Sequence, residues 1–316
     1  MPAVGVSVFD GQSLLFSEVH GVADRTTGRP VARQDWWDLA SLTKTLVTLP
    51  EALAAFELDA KLSDVWPRAA GAPVGEATVR ELLSHTAGLP AIVPLYRSWR
   101  TREELVSAAL GTSLERRPGG EAVYSDLGFL LLGEAIAEQS GQSLATLARR
   151  RSGLRFGPLT EPATATEYCQ WRGRLIVGEV HDENAYAMDG IAGHAGAFGT
   201  LDLVTDAARA WFAGEVLPEE LHRAARSCQA TNALGERFGL GWWLTPTRGL
   251  GGPAAGTNSY GCSGFVGHRI WFEPDRGYGV VILSNRIHPH RDTRESFAAW
   301  CAQLLQAVAE PGRLWR

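Results

Sequence analysis

Strand-like patterns occur near both ends of the chain. Residues 4–10 (VGVSVFD) and 13–19 (SLLFSEV) largely alternate apolar and polar positions, and Asp10-Gly11 between them is a hairpin signal. Residues 265–274 (FVGHRIWFEP) and 277–285 (GYGVVILSN) are rich in aromatic and β-branched residues. These patterns predict two pairs of strands, one near each end of the sequence.

Helical periodicity dominates most of the remaining chain. Between Ser41 and about Phe56, leucines recur at spacings of three or four, which predicts a helix that Pro50 bends or interrupts. The middle of the chain, roughly residues 61–234, is predicted to be mostly helical and loop. The clearest further helices are predicted over residues 101–110, 125–141, 201–214 and 293–310.

The order of these elements indicates a fold class. Strands at both ends with helices between them predict an α/β protein of the α+β type. We expect one antiparallel sheet built from both termini and flanked by helices, with a mainly helical region inserted. We expect a single domain over residues 1–316, its sheet region at about 1–60 and 235–316 and its helical region at about 61–234.

The composition is that of an ordinary soluble globular protein. The 316 residues are 45% hydrophobic and 21% charged, and the formal net charge is −5. This mild charge does not indicate a nucleic-acid or membrane surface, and no run of about 18 apolar residues predicts a membrane span. The first residues show neither a basic leader nor a cleavable apolar segment. We therefore expect a cytoplasmic protein, or a periplasmic or extracellular one if a leader has been removed.

Metal and cofactor sites are not indicated. The four cysteines lie far apart, at Cys169, Cys228, Cys262 and Cys301. None belongs to a CxxC or Cys/His zinc pattern, so we expect free thiols and no structural metal or cofactor. Residues 180–196 include His181, Asp182, Glu183 and His194. No pair of these has the i, i+4 spacing of a helical metal site, which favours a hydrogen-bonded loop over a metal site.

Several common catalytic motifs are missing from the sequence. Neither lysine follows a glycine, which excludes the phosphate-binding P-loop, and HExxH is absent. The nearest match to the esterase motif GxSxG, residues 261–265, ends in phenylalanine. Residues 249–254 loosely fit the dinucleotide pattern, but Pro253 interrupts it and favours a loop.

A serine and a lysine at a spacing of three form the first candidate motif. The chain has 30 basic residues but only two lysines, Lys44 and Lys61, and Lys44 lies in Ser41-Leu42-Thr43-Lys44. This spacing places both side chains on one face of the first helical turn. A serine hydroxyl needs a neighbouring base, and lysine can act as one whereas arginine keeps its proton. SxxK alone is a weak signal, because a capped helix with an exposed lysine looks the same.

Two further motifs follow in order. Tyr124-Ser125-Asp126 offers a phenol that a nearby ammonium could convert into a proton shuttle with a lowered pKa. Cys262-Ser263-Gly264 is predicted to begin an edge strand, which could align an acyl substrate and offer a backbone N–H to its carbonyl oxygen. The three motifs together favour a nucleophilic serine hydrolase over a chance SxxK match.

With these motifs in place, the chain resembles the serine β-lactamase and penicillin-binding-protein superfamily. It looks most like the branch of class C β-lactamases, D,D-peptidases and esterases. The similarity extends over nearly the whole chain, through segments such as TVRELLSHTAGLP, VYSDLGFLLLGE and GEVHDENAYAMDGIAGHAGAFGT. It implies the β-lactamase/transpeptidase-like fold.

The resemblance also implies roles for individual residues. Ser41 would be the acylated nucleophile, and Lys44 and Tyr124 would share the work of general base and proton shuttle. The backbone N–H groups of Ser41 and Phe265 would form the oxyanion hole. Asp126 would occupy a position often held by asparagine, where it touches Lys44 and the substrate.

The resemblance also implies a location for two further sequence segments. Cys262, Ser263 and Gly264 would flank the substrate along the strand that leads to the oxyanion hole. The segment at residues 84–89 (SHTAGL) would form a structural turn, so His85 is not expected to act as a base.

The sequence departs from the family pattern at two of these positions. The third motif usually begins with lysine or histidine, which helps to bind a substrate carboxylate, whereas Cys262 carries no positive charge. Recognition of a carboxylate would then need another cation, such as Arg269 or Arg286. Asp126 replaces an amide with a carboxylate, which would keep Lys44 charged and favour Tyr124 as the base.

These departures lead to a functional prediction with two alternatives. We expect a serine hydrolase that forms an acyl-enzyme on Ser41 and acts on small or medium acyl esters, with a small-molecule ester or amide as its only expected partner. A β-lactamase or D,D-peptidase is the alternative within the same chemistry. A catalytically weak homologue that binds a ligand or protein is the alternative of another class. The oligomeric state is not indicated by the sequence.

Overall fold

The computed structural model describes residues 3–291 and 294–310. Its strands in these residues are β1 (Ala3–Phe9), β2 (Leu14–Asp24), β3 (Arg29–Pro30), β4 (Trp37–Asp38), β5 (Arg155–Phe156), β6 (Ala165–Cys169), β7 (Arg174–Val177), β8 (Ala197–Gly199), β9 (Ala230–Thr231), β10 (Arg237–Phe238), β11 (Trp243–Leu244), β12 (Tyr260–Gly264), β13 (His268–Glu273) and β14 (Tyr278–Ser284).

Helices occupy much of the chain between the terminal strands. The α-helices of the described residues are α1 (Leu49–Ala55), α2 (Leu62–Val65), α3 (Val79–Leu83), α4 (Arg102–Leu110), α5 (Asp126–Ser140), α6 (Leu144–Ser152), α7 (Glu183–Ala187), α8 (Leu201–Phe212), α9 (Glu219–Arg226) and α10 (Arg294–Ala309). A π-helical turn, Lys44–Thr48, precedes α1, and 3-10 turns occur at Pro67–Ala69, Leu95–Arg97 and Pro274–Arg276.

The main sheet joins the two ends of the chain. Its nine antiparallel strands lie in the order β3-β2-β1-β14-β13-β12-β11-β10-β9. Within this sheet β1 pairs with β14, with Val4 opposite Ser284 and Phe9 opposite Gly279. The prediction of one antiparallel sheet built from both termini is confirmed, as is the helix-flanked α/β fold class. The division into a sheet region and a helical region stays a prediction. Helix α8, which packs on the sheet, and strand β9, which belongs to it, both come from the part of the chain assigned to the helical region.

Alternation along β1 explains how helices cover both sheet faces. The Ser7 hydroxyl hydrogen-bonds that of Thr205 on α8 at 2.6 Å, whereas the next residue, Val8, belongs to the apolar cluster that includes Phe297 and Leu305 of α10. Neighbouring residues of a strand point to opposite faces. The sheet is therefore a central layer between α8 and α10.

The helix predicted from Ser41 to Phe56 is present but not uniformly α-helical. Pro50 lacks the N–H that an α-helix would use at that position. A π-helical turn lies just before this proline, and in it the Leu49 N–H donates to the Lys44 carbonyl oxygen. Pro50 then lies at the start of α1 rather than at a break.

Two strand predictions near the C-terminal end need correction, and one helix prediction lies partly outside the described residues. Residues 265–267 form the hairpin turn between β12 and β13, so the strand predicted from residue 265 begins at His268. Cys262–Gly264 consequently end a strand instead of beginning one. The last helix is confirmed from Arg294, while Thr293, its expected first residue, lies outside the described residues. Among the helices that are described, none is long and apolar enough to cross a membrane.

Candidate active site

The turn that presents Ser41 is held in an uncommon conformation. Ala40 has φ +46°, in the left-handed region that L-residues rarely adopt. Its N–H donates to Asp38 Oδ1 at 2.8 Å, which anchors this turn. On the other side, a Cβ on Gly264 would lie 2.8 Å from the Leu39 carbonyl oxygen, so a glycine is needed there. The end of β12 is therefore packed directly against the turn that carries Ser41.

Lys44 is buried at the centre of the site. Its Nζ donates to Ser41 Oγ at 3.1 Å and to the His194 carbonyl oxygen at 3.0 Å. It also forms an ion pair with Asp126 Oδ1 at 2.6 Å. Burial lowers the pKa of Lys44, but the Asp126 carboxylate and the Tyr124 phenol raise it more, so the net pKa is above its ordinary value. The resting side chain is therefore an ammonium, as the sequence analysis expected.

Tyr124 lies beside this ammonium. The Lys44 Nζ is 5.2 Å from its ring centroid, and the ring packs between His85, at 4.5 Å, and Trp243, at 5.9 Å. Burial raises the pKa of Tyr124 and outweighs the lowering by Lys44. The lowered pKa expected from the sequence is therefore wrong for the resting site, where Tyr124 is a neutral phenol.

His85 supports the site without serving as a base. Its Nδ1 accepts a hydrogen bond from the Ser125 N–H at 3.2 Å, and its carbonyl accepts from the Val123 N–H at 2.9 Å. Burial lowers the pKa of His85 to about 3, with a further lowering by Lys44. The imidazole is neutral and holds the segment that carries Tyr124, which agrees with the structural role expected for it.

The Cys262 thiol does not face the exposed part of the site. Cys262 is 4% exposed, and its Sγ lies 3.2 Å from the Thr45 hydroxyl. Burial raises the pKa of this thiol to about 12. We therefore withdraw the expectation that the Cys262 side chain contacts substrate, because the alternation of β12 directs it into the core. The next residue, Ser263, is the exposed one.

Two backbone N–H groups beside Ser41 are available for an oxyanion. Within the described chain, neither the Ser41 nor the Phe265 N–H donates to a protein acceptor. Ser41 lies just before the first helical turn, and Phe265 immediately follows β12. The Gly264 contact with Leu39 brings these two segments together. Unpaired N–H groups at such a junction can bind the oxygen of a tetrahedral intermediate.

Neither arginine considered as a replacement cation is freely available. Arg269 is 8% exposed and donates to the carbonyl oxygens of Gly249 and Leu250 at 2.9 and 2.7 Å. Arg286 donates to the Phe265 carbonyl oxygen and its guanidinium lies 5.8 Å from the Phe265 ring centroid. Both side chains are tied to backbone rather than presented to a substrate carboxylate.

The loop at residues 180–196 contributes a backbone carbonyl and histidine–carboxylate hydrogen bonds. His194 Nε2 lies 3.0 Å from Asp182 Oδ1, and His181 Nε2 lies 2.8 Å from Glu167 Oε1. No group of three or more metal-ligating side chains occurs in the described residues. The function of this loop at the site is instead the His194 carbonyl that holds Lys44, a contact that a side-chain motif search cannot find. Trp243 also reaches the site, where it stacks on Tyr124, whereas the neighbouring Trp242 is buried in the core, and the sequence does not distinguish the two.

Comparisons with known proteins agree with this geometry. The model of the Beta-lactamase family matches residues 1–303. The chain belongs to the beta-lactamase family. Among the curated relatives of this chain is a putative D-alanyl-D-alanine carboxypeptidase of Escherichia coli K12. It is 28% identical, and the match covers 91% of this chain and 79% of the relative. N-acetylmuramyl-L-alanine amidase of Bacillus subtilis 168 is 26% identical, covering 90% and 77%.

Solved structures show the same fold for this beta-lactamase-family chain. A penicillin-binding protein homologue from Pyrococcus abyssi has a TM-score of 0.75 at 19% identity, covering 96% of this chain and 73% of its own. A hydrolase with promiscuous acyltransferase activity, EstCE1, has a TM-score of 0.74 at 20% identity, covering 95% and 93%. The sequence-based identification of the superfamily is confirmed, and the protein is a serine hydrolase of this family.

Proposed function

We propose that the protein hydrolyses carboxylic esters through an acyl-enzyme on Ser41. The observation that supports an ester is Cys262, whose buried thiol occupies the strand position where the family pattern has a cation. A β-lactam or a peptide C-terminus brings a carboxylate, and a buried anion without a partner is costly. A neutral ester needs no such cation.

The proton path follows from the charges at rest. Lys44 is an ammonium paired with Asp126, and Tyr124 is a phenol. Because Asp126 Oδ1 is 2.6 Å from Lys44 Nζ, we propose that the ammonium passes a proton to this carboxylate when substrate displaces water. The neutral amine, 3.1 Å from Ser41 Oγ, then accepts the serine proton.

The reaction then proceeds in two halves. Ser41 Oγ attacks the ester carbonyl, and the N–H groups of Ser41 and Phe265 stabilise the oxyanion. Collapse of the intermediate breaks the bond to the alcohol, which leaves with the proton from Lys44, relayed by Tyr124. In the second half, water gives a proton to the same groups and attacks the acyl-enzyme. The acid is released, Ser41 regains its proton, and Asp126 returns to Lys44 the proton it took at the start, which balances the cycle.

The names of the curated relatives favour a second candidate function. Carboxypeptidase and amidase are activities on amide bonds, and these relatives are similar over about nine tenths of the chain. Amide hydrolysis by the same Ser41 chemistry is therefore the alternative, and the engagement of Arg269 and Arg286 by backbone carbonyls argues against an amide substrate that carries a carboxylate. The alternative of a catalytically weak binding homologue predicts no covalent chemistry at Ser41.

One comparison of two substrates tests the proposal. The wild type and Ser41→Ala are assayed with p-nitrophenyl butyrate and with a chromogenic cephalosporin, and Ser113→Ala, at an exposed loop position, serves as the matched control. We expect ester turnover by the wild type and by Ser113→Ala, its loss in Ser41→Ala, and little cephalosporin cleavage. Rapid Ser41-dependent cephalosporin turnover would favour the amide alternative. No turnover, together with no labelling by an activated phosphonate, would favour the binding homologue.

A further inference from the structure

A cavity of about 470 Å³ lies close to the Phe265 side chain. Arg291, one of its lining residues, is 5.0 Å from the Phe265 ring centroid. The Phe265 ring, 48% exposed, also stacks on His181 at 5.6 Å, and His181 is hydrogen-bonded to Glu167 in the cavity wall. The Phe265 side chain, which immediately follows β12, therefore connects the cavity wall to the residue whose N–H is proposed to bind the ester carbonyl.

Aromatic rings form one wall of this cavity. Tyr96, Tyr168 and Trp171 line it, and Tyr168 and Trp171 are 43% and 39% exposed. Trp171 packs edge-on against Tyr96 at 4.9 Å, and Tyr186 packs edge-on against Trp171 at 5.9 Å. Large exposed aromatic side chains that brace one another in this way are typical of ligand surfaces.

The remaining wall consists of hydrogen-bonding side chains. They are Arg97, Glu167, Gln170, Glu183, His290 and Arg291. Two arginines and two glutamates give this set no net charge when His290 is neutral, so it does not select an anion or a cation. No aliphatic side chain is among the residues that line the cavity in the described part of the chain.

Two of these polar groups retain hydrogen-bonding capacity. Glu167 is already bound by His181 and by Arg291. Within the described residues, Glu183 has only a 3.5 Å hydrogen bond from Arg291, and Arg97 has only a 3.4 Å hydrogen bond to the Tyr96 hydroxyl. An acceptor and a donor are therefore available among the residues that line the cavity.

The aromatic and polar residues of the cavity together favour one kind of ring-shaped ligand over another. An apolar aromatic group would stack on Trp171 but leave the charged wall desolvated without partners, which is unfavourable. A hydroxylated ring offers a C–H face to the aromatic wall and hydroxyl groups to Glu183 and Arg97. We propose that this cavity binds a sugar-sized hydroxylated ring, so that the substrates are acylated sugars and the sugar is the alcohol that leaves. This inference rests on the proposed ester hydrolysis at Ser41.

Three acetate esters that differ only in their alcohol test the inference. 6-O-acetylglucose carries the hydroxylated ring, benzyl acetate carries an apolar ring, and ethyl acetate carries none, and acetate release from each is followed by pH-stat. We expect the wild type to favour 6-O-acetylglucose over both others by at least about tenfold in kcat/KM, which is about 1.4 kcal/mol. Equal rates, or a preference for benzyl acetate, would overturn the sugar assignment.

Variants then locate the preference in the cavity. Trp171→Ala and Glu183→Gln should remove the preference for the sugar ester and leave ethyl acetate within about twofold of the wild type. Trp99→Ala is the matched control, because Trp99 is 41% exposed but does not line the cavity. A preference that survives in Trp171→Ala, or is lost equally in Trp99→Ala, would contradict the proposal.

The result separates this inference from the proposed function. Ser41-dependent hydrolysis of ethyl acetate without a sugar preference would overturn the sugar site and leave the esterase proposal standing. If no ester is hydrolysed, the esterase proposal fails. The sugar-binding assignment of the cavity is then tested by binding alone. Glucose is then titrated into the wild type and Trp171→Ala by saturation-transfer NMR. Binding that requires Trp171 supports the sugar site, and no binding overturns it.

Discussion

At the scale of single residues, the site depends on how three oxygen atoms surround one buried amine. Lys44 Nζ contacts Ser41 Oγ, the His194 carbonyl and Asp126 within 3.1 Å. A compact ammonium fits this arrangement, whereas a planar guanidinium is larger and keeps its proton. The retention of lysine at position 44, in a chain whose other basic residues are nearly all arginine, follows from this geometry.

Replacement of Lys44 by arginine tests that reasoning. We expect Lys44→Arg to lower kcat/KM for p-nitrophenyl butyrate by about 10²-fold or more, because the general base is lost. Lys61→Arg is the matched control, since Lys61 is exposed and pairs only with Glu76 on the surface. That change should stay within about twofold of the wild type. Retention of more than about a tenth of the wild-type rate by Lys44→Arg would refute proton transfer by Lys44.

The pH dependence of Asp126→Asn tests the proton acceptor. In the wild type, the carboxylate can take the Lys44 proton within the ion pair, so no proton must leave for solvent. In the variant, the Asp126 carboxylate no longer raises the pKa of Lys44, which therefore falls below its raised wild-type value. The amine must nevertheless lose its proton to water before it can act. Because an ammonium releases its proton at higher pH than a carboxylic acid does, the acid limb of kcat/KM should move to higher pH.

The size of that change is also expected to be measurable. At pH 7 we expect Asp126→Asn to lose at least about tenfold in kcat/KM. Asp59→Asn, which removes an exposed carboxylate paired with Arg80, should leave the profile unchanged. An acid limb that stays in place in Asp126→Asn would mean that the proton passes to another group.

Sequence motifs predicted which side chains meet at the site better than they predicted the electrostatic and packing environment of those side chains. SxxK spacing on a helical turn was enough to predict the Ser41–Lys44 contact, because local geometry determines it. The direction of the Tyr124 pKa shift was predicted wrongly, since burial and Asp126 together outweigh Lys44. The inward orientation of Cys262 and the His194 carbonyl contact depend on tertiary packing, which short motifs do not encode.

At the scale of elements, β12 couples the sheet to the serine turn. Its last residue, Gly264, lies so close to Leu39 that a Cβ would meet the carbonyl oxygen at 2.8 Å. The strand pairs with β11 only at Tyr260 and Gly261, so the stretch from Cys262 to Gly264 has an open edge on that side. An extended acyl substrate could lie along this edge.

Gly264→Ala tests the coupling between β12 and Ser41. The added methyl group cannot avoid a backbone oxygen, so the strand end and the serine turn must separate. We expect kcat/KM to fall about tenfold or more, because small displacements of a nucleophile are costly. Gly11→Ala is the control, as its Cβ would meet nothing within 4 Å. A Gly264→Ala enzyme with wild-type kcat/KM would show that the close approach does not position Ser41.

Element prediction succeeded where a pattern was long enough to repeat. The terminal strands and the long helices α4, α5 and α8 were all predicted within a few residues of their observed bounds. The two-residue strands β9, β10 and β11 were missed, because two positions cannot show a period. They form only by pairing with β12 and with one another.

At the scale of the whole molecule, the sheet has long, extensively paired inner strands and one edge of very short strands. β1 lies between β2 and β14, so the two ends of the chain are both tied into the most enclosed strands. β9, β10 and β11 form the opposite edge and have only two residues each. Trp243, which stacks on Tyr124, belongs to β11. One wall of the active site therefore rests on the least supported part of the sheet.

Hydrogen exchange should detect this difference in stability. Backbone amides of β1 and β14 should open only with global unfolding, whereas those of β10 and β11 should exchange by local opening, roughly two orders of magnitude faster or more. If Trp243 walls the acyl site, a phosphonate attached to Ser41 should slow exchange in β11 and leave β1 unchanged. Equal exchange in β1 and β11 of the free enzyme would show that the sheet opens as one unit. Unaltered β11 exchange after labelling would separate Trp243 from acyl binding, because a wall that contacts the acyl group must lose freedom when that group is fixed.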